Sequence, residues 1–207
     1  GICDRCRSKI RYIREPFCMR CGRQLGKDQE EYCKDCSRKH VFLQNVTLYD
    51  YGSVADSLFR FKYRGRREYA RFYGEELYRG YREWLAVRKP DALIPVPCHS
   101  SRRRQRGYNQ AELLAEALSA VSGIPVKKDL IQRIHKTGPQ KNLTLRERQN
   151  NLKKAFKICQ NDVKLSTIVI IDDIYTTGST MDAMAEELHR NGVRKIYGMA
   201  LASGRGV

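Results

Sequence analysis

The chain has 207 residues, enough for one domain of ordinary size plus a small appendage, and its 41% hydrophobic content is enough for a real core. With 40 Lys and Arg against 23 Asp and Glu the net charge is +17, more than a small anionic substrate requires, which points to a polyanionic partner such as nucleic acid. No apolar run approaches the roughly 18 residues of a membrane span, and the polar, Cys-rich N-terminus is no secretory signal. Gly1 in place of Met leads us to expect a natural chain that starts earlier.

Residues 1–40 read as a separate unit. Cys3/Cys6, Cys18/Cys21 and Cys33/Cys36 form three Cys-x-x-Cys pairs, with 11 residues between each pair and the next. Two such pairs at this spacing suit four thiolates around one tetrahedral Zn²⁺, and Gly22 allows the tight turn that aims N–H groups at sulfur. A segment this poor in apolar residues needs the metal to fold. Disulfides fit less well, because such pairs without a secretion signal belong to a reducing compartment, here the cytoplasm. A redox motif fits less still, since no strand–helix context surrounds the pairs. Cys18, Cys21, Cys33 and Cys36 are the first choice for structural zinc. Cys3 and Cys6 are left over as candidate ligands whose partner pair would lie upstream. Cys98 and Cys159 are isolated and read as small buried apolar residues.

Val41 to Tyr51 alternates as one or two strands, and Ser53 can cap a short helix running to Phe59. The run Arg60 to Arg67 then interleaves aromatics with cations. Lys62, Arg64, Arg66 and Arg67 with these aromatics suit single-stranded nucleic acid, bases stacking and cations taking phosphates. The run suits equally a solvated turn with Phe61 and Tyr63 packed inward. Arg67 to Val87 puts Ala70, Tyr73, Leu77, Tyr81 and Trp84 on one helical stripe, a core face, and Pro90 ends it. Asp91 to Pro97 is a short buried strand entering a proline-stiffened loop. Arg102, Arg103, Arg104 and Arg106 follow, and their guanidinium forks match either a diphosphate or a DNA backbone. Asn109 to Ser122 is an amphipathic helix with Leu113, Leu114, Ala117 and Leu118 inward, stopped by Gly123 and Pro125. Asp129 to His135 reads as a strand, with His135 structural. Lys136 to Leu145 has no hydrophobic period and reads as a mobile loop, with Gln140, Arg146 and Arg148 about it. Arg148 to Ala155 reads as a short basic helix.

From Ile168 an unbroken β-branched run predicts a strand buried on both faces of a parallel sheet. Asp172 and Asp173 stand at its end, and Thr176-Thr177-Gly178-Ser179-Thr180 follows. Met181 to Asn191 reads as a helix stopped by Gly192, and Arg194 to Leu201 as the last strand. N–H groups of Gly178, Ser179 and Thr180, the helix dipole and the hydroxyls together make an anion site. No Gly-Lys-Ser/Thr follows, and the glycine spacing is not that of a dinucleotide site. Strands alternating with helices give an α/β fold with its ligand at the strands' C-terminal edge.

The stretch Asp172 to Thr180 resembles the 5-phosphoribosyl-1-diphosphate (PRPP) signature of type I phosphoribosyltransferases. The resemblance implies that Asp172 and Asp173 hold the ribose 2′- and 3′-hydroxyls and that Thr176, Thr177, Gly178, Ser179 and Thr180 wrap the 5′-phosphate. It implies also that Mg²⁺ rides on the diphosphate and that the loop at 136–145 closes over the site. Adding the Cys pairs, Pro95-Val96-Pro97 with Arg106-Gly107-Tyr108-Asn109-Gln110, and Arg148 to Phe156, the chain resembles the ComF family over nearly its whole length. That resemblance implies a type I phosphoribosyltransferase-like parallel sheet flanked by helices at 41–207, behind a small zinc-finger segment at 1–40. It implies a part in natural transformation, handling incoming single-stranded DNA in the cytoplasm beside other competence proteins. The alternative it leaves is an active Mg²⁺-dependent phosphoribosyltransferase acting on a small base or amine, with Asp172 and Asp173 catalytic. Many members of the family carry a further N-terminal Cys pair that is absent here.

Overall fold

Strand β5 (Thr167–Tyr175) fixes the architecture, because its β-branched side chains fill two cores at once. The structure, a computed structural model, describes residues 3–26, 31–37, 40–134, 155–159 and 164–204. Ile168 and Ile170 point into one apolar cluster with Ile94, Met181, Met184 and Leu188. Val169 and Ile171 point into the other with Leu77, Leu114, Leu118 and Met199. This period of two, apolar on both faces, is the pattern of a central parallel strand.

Around it stand β1 (Gln44–Asp50), β2 (Ala92–Pro95) and β6 (Lys195–Ser203), in the order β1-β6-β5-β2 and all parallel. Helices α2 (Tyr51–Tyr63), α3 (Tyr69–Arg88) and α5 (Gln110–Ser122) cover one face. Helix α6 (Ser179–Arg190) and the cysteine segment cover the other. The α3 stripe read from sequence is the packed one: Ala70, Tyr73 and Leu77 are buried. Gly74 is required where α3 crosses α5, since a Cβ there would lie 2.6 Å from the Ala117 Cβ. Among the described residues no helix is long and apolar enough to cross a membrane.

The cysteine segment is built onto the sheet. The Ile13 N–H donates to the Leu48 carbonyl at 2.9 Å and the Asp50 N–H to the Arg11 carbonyl at 2.9 Å, laying an antiparallel strip along β1. Behind this strip Glu76 is buried and accepts from the hydroxyls of Tyr12 and Tyr49. The turn after Cys21 approaches β1 so closely that a Cβ on Gly22 would lie 2.8 Å from the Thr47 nitrogen. An open β1 edge would invite pairing with other chains, and the strip and turn close it.

Two local expectations differ. Ser53 does not start α2, which begins directly at β1's end with Asp50 as its cap residue. Its hydroxyl instead accepts the Arg11 N–H at 3.0 Å and donates to the Asp50 carbonyl at 2.8 Å. The strand expected at 129–135 exists as β3 (Ile131–Arg133), but it pairs antiparallel with β4 (Phe156–Ile158), outside the main sheet. The arginine run is a short helix, α4 (Ser100–Arg106), capped by the His99 side chain, which accepts the Ser101 N–H at 3.2 Å. His135, the loop at 136–145 and the basic helix as far as residue 154 lie outside the described residues.

Candidate functional site

At the C-terminal end of β5 the acidic pair stands together. Asp173 is buried, and its Oδ2 takes an ion pair from the Lys62 Nζ at 2.8 Å. Asp172 turns its Oδ1 back onto the Asp173 N–H at 2.8 Å. Burial and the neighbouring Asp173 charge push the Asp172 carboxyl up to about 8, with Lys62 pulling the other way. Two carboxylates side by side with one ammonium make a site that welcomes hydroxyl donors. Lys62 was placed by its sequence in the nucleic-acid run; its helical phase on α2 turns it inward, onto the acids.

The loop leaves β5 through Tyr175 and Thr176 and enters α6 at Gly178, whose φ of 78° only glycine adopts freely. Gly178 has no side chain to cap the helix, and the Ser179 N–H makes only a long 3.5 Å contact to the Thr177 hydroxyl, so the first turn can still serve an anion. The Thr177 and Ser179 hydroxyls meet at 2.8 Å and line the same turn. Asp182, an acid in the first turn, faces away: its Oδ1 accepts the Val41 N–H at 2.7 Å and its Oδ2 meets His40 Nδ1 at 2.8 Å.

Arginines of two elements gather beside this edge. Arg133 on β3 feels the charges of both Arg102 and Asp172: burial and Arg102 lower its guanidinium pKa, and Asp172 opposes them. Arg102, Arg103 and Arg104 are exposed along α4, and Arg103 also reaches Glu112 at 3.4 Å. Arg106 bonds the Tyr63 hydroxyl at 3.1 Å and lies 4.7 Å from that ring's centroid. Phe61 is fully buried, whereas Phe59 and Tyr63 are 50% and 53% exposed with their rings 5.1 Å apart. Asp56, Phe59, Arg60, Arg64 and Arg66 line a shallow open cavity of about 580 Å³ on this outer face. Of the two aromatics expected to pack inward at a turn, Phe61 does and Tyr63 does not, and both lie in the last turns of α2. Arg67 stacks 4.7 Å over Tyr108 and donates to the Gly107 carbonyl at 3.2 Å, tying the start of α3 to the end of α4.

The Sγ atoms of Cys18, Cys21, Cys33 and Cys36 lie within 4.8 Å of one another, and all four residues are buried. A Zn–S bond of about 2.3 Å puts tetrahedral sulfurs about 3.8 Å apart; Cys21 and Cys33 are 3.7 Å apart. Hydrogen bonds from Cys21 and Cys36 pull the Cys18 thiol far down, while Cys21 and Cys36 are pushed up. Four such sulfurs share their charge comfortably only around a cation, so the set fits structural zinc. Cys3 and Cys6 are exposed on α1 (Asp4–Arg7) and stand outside this cluster.

Sequence reasoning missed Arg23, which joins the two sites. Its guanidinium is buried, donating to Asp35 Oδ2 at 2.6 Å and to the Thr176 carbonyl. His40 was missed too; its Nε2 lies 3.5 Å from the Cys36 Sγ and 3.5 Å from the Tyr175 hydroxyl. Only the four-residue step from Cys36 to His40 hinted at the second, and nothing in the pattern hinted at the first.

Residues 1–37 match the double zinc ribbon domain, and residues 107–205 the phosphoribosyl transferase domain. Competence protein ComFC of Bacillus subtilis is 31% identical over 197 residues, covering 92% of this chain and 79% of that protein. Competence protein F of Haemophilus influenzae is 36% identical over 118 residues, 56% of this chain and 52% of that protein. DNA utilization protein YhgH of Salmonella typhimurium is 36% identical over 115 residues, 56% and 50%. The chain thus spans about half the length of these last two relatives. Among solved structures, a purine phosphoribosyltransferase from Pyrococcus horikoshii aligns with a TM-score of 0.39 and 23% identity, over 66% of this chain and 71% of that one.

Proposed function

The chain belongs to the ComF family of competence proteins, and on that premise we propose that it joins a PRPP-binding site to a surface for single-stranded DNA. The observation that carries the first half is the end of β5, where a paired-carboxylate edge runs straight into an uncapped glycine turn and helix. Asp172 and Asp173 accept from the ribose hydroxyls. Thr176 to Thr180 offer N–H and hydroxyl donors to the 5′-phosphate, with the α6 dipole behind them. Arg133 and Arg102 sit where a diphosphate can be gripped, and the Mg²⁺ that accompanies a diphosphate would neutralise its oxygens. Lys62 holds the unliganded acid pair in place.

The second half rests on the outer face of α2 and α4. Phe59 and Tyr63 offer rings to bases, while Arg60, Arg64, Arg66, Arg102, Arg104 and Arg106 offer cations to a flexible backbone. This supports single strands over duplex, whose bases are already stacked. The cytoplasm, and other competence proteins as partners, belong to the same proposal. Titrating PRPP with Mg²⁺ into the protein, and a labelled oligo-dT in parallel, tests both halves. The double variant Asp172→Asn/Asp173→Asn should lose PRPP and keep DNA. PRPP binding unchanged in that variant sinks the first half, and DNA affinity indifferent to salt sinks the second.

A second reading, transfer of the phosphoribosyl group to a nitrogen acceptor, is favoured by the completeness of the acid pair and its counter-ion. It predicts diphosphate release from PRPP only when a base or amine is present.

A further inference from the structure

The cysteine ribbon grips the anion loop at three successive places. Arg23 donates to the Thr176 carbonyl while its other nitrogen holds Asp35 at 2.6 Å. At Gly178 a Cβ would lie 2.5 Å from the Tyr175 Oη and 2.9 Å from the His40 Cε1, so the turn is pressed against ribbon and tyrosine. In the first turn of α6, both oxygens of Asp182 are taken, by Val41 and His40.

The first grip has a directional consequence. The Thr176 carbonyl and the Thr177 N–H belong to one planar trans peptide and point opposite ways. Fixing the carbonyl toward the ribbon therefore aims the Thr177 N–H away from it, to the side on which the loop is open. A buried guanidinium is a poor stabiliser when apolar side chains could fill the space, and the Arg23 Nε is buried without a hydrogen-bond partner. Such a costly group is expected where geometry matters more than stability.

We propose that Arg23 is the positioning residue of the phosphate loop: by tying Thr176 to Asp35 it holds the Thr177 N–H towards the bound phosphate, which gives the ribbon a part in ligand binding. This rests on the ribose-phosphate reading above.

The test uses the full chain with ribose 5-phosphate as probe, read by calorimetry, by the ¹⁵N–¹H resonances of Thr177 to Thr180 and by metal analysis. Arg23→Gln should bind about tenfold more weakly, the loss of one oriented hydrogen bond to a charged group. Its metal content should stay that of the wild type, and its Thr177 resonance should move. Arg23→Lys, which keeps a cationic donor, should recover most of the affinity. Equal affinity in Arg23→Gln and wild type overturns the proposal. So does an equal loss in both variants with the Thr177 resonance unmoved, which is the signature of a merely structural residue. Should Arg23→Gln fail to fold, Asp35→Ala, which leaves Arg23 no acceptor at that end, puts the same question from a half-exposed position: weakened binding supports the role, and wild-type binding removes it. A wild type that does not bind ribose 5-phosphate overturns the ribose-phosphate reading itself, and the role of Arg23 with it; only that outcome is visible without any variant.

Discussion

Replacing Asp172 with Asn should make the unliganded protein more stable, and only at higher pH. The carboxyl moves from 3.8 to about 8 on folding, chiefly because it is buried and faces Asp173. Between those values the native protein keeps a proton that the unfolded chain has shed, so stability falls as pH rises, and above about 8 the whole cost is present. Each pH unit is worth about 1.4 kcal/mol, so a shift of about four units sets a ceiling near 6 kcal/mol. The pull of Lys62 is already part of that shift, and the residual solvent access of Asp172 brings the expectation down to about 2 kcal/mol. Asn keeps the acceptor for the Asp173 N–H and has no proton to lose. Thermal melts at pH 4, 6 and 9 should therefore show coincident transitions for the two proteins at pH 4. At pH 9 the variant should melt about 5 °C higher. A difference that is constant across pH, or that favours the wild type at pH 9, would refute the buried, repelled carboxylate.

Metal analysis should find zinc lost in Cys33→Ser and retained in Cys3→Ser, since the first removes one of the four clustered sulfurs and the second touches none. Gly74→Ala should cost about 2 kcal/mol in urea unfolding, because its methyl must displace the α5 backbone at Ala117. On oligo-dT, Phe59→Ala/Tyr63→Ala should weaken binding at every salt concentration and leave the salt slope intact. Arg102→Ala/Arg104→Ala should flatten that slope by about two phosphate contacts, and identical effects from the two pairs would argue against a stacking surface.

The elements with a strong local signal were legible. Thr167–Tyr175 reads as a buried parallel strand because nearly every residue before the acids is β-branched, and that needs no partner to recognise. The α3 stripe is legible for the same reason. That Cys18, Cys21, Cys33 and Cys36 come together was legible because the knuckle glycine follows one of these pairs. Features that depend on distant residues were not legible. β3 is a strand by composition, but its antiparallel partner lies 25 residues further on, and composition does not name partners. Ser53 looks like a cap, yet the hydroxyl is claimed by Arg11, 42 residues earlier. Lys62 sits among outward-facing cations in the sequence, and only the helical phase of α2 turns it onto Asp173. Arg23 and Thr176 are 153 residues apart, and nothing local links them.

The sheet order β1-β6-β5-β2 bears on how the chain is made. β6 follows every other strand in sequence, yet it lies between β1 and β5 and pairs with both. On a ribosome adding about 5–20 residues each second, β1 waits roughly 8–30 s for that neighbour. Until β6 emerges, the inner edges of β1 and β5 lack their neighbour, as open to foreign strands as to the right one. The nascent protein is thus most vulnerable in the interval between β5 and β6, and a delay in translating the segment around Lys195–Ser203 should cost more soluble product than an equal delay anywhere earlier.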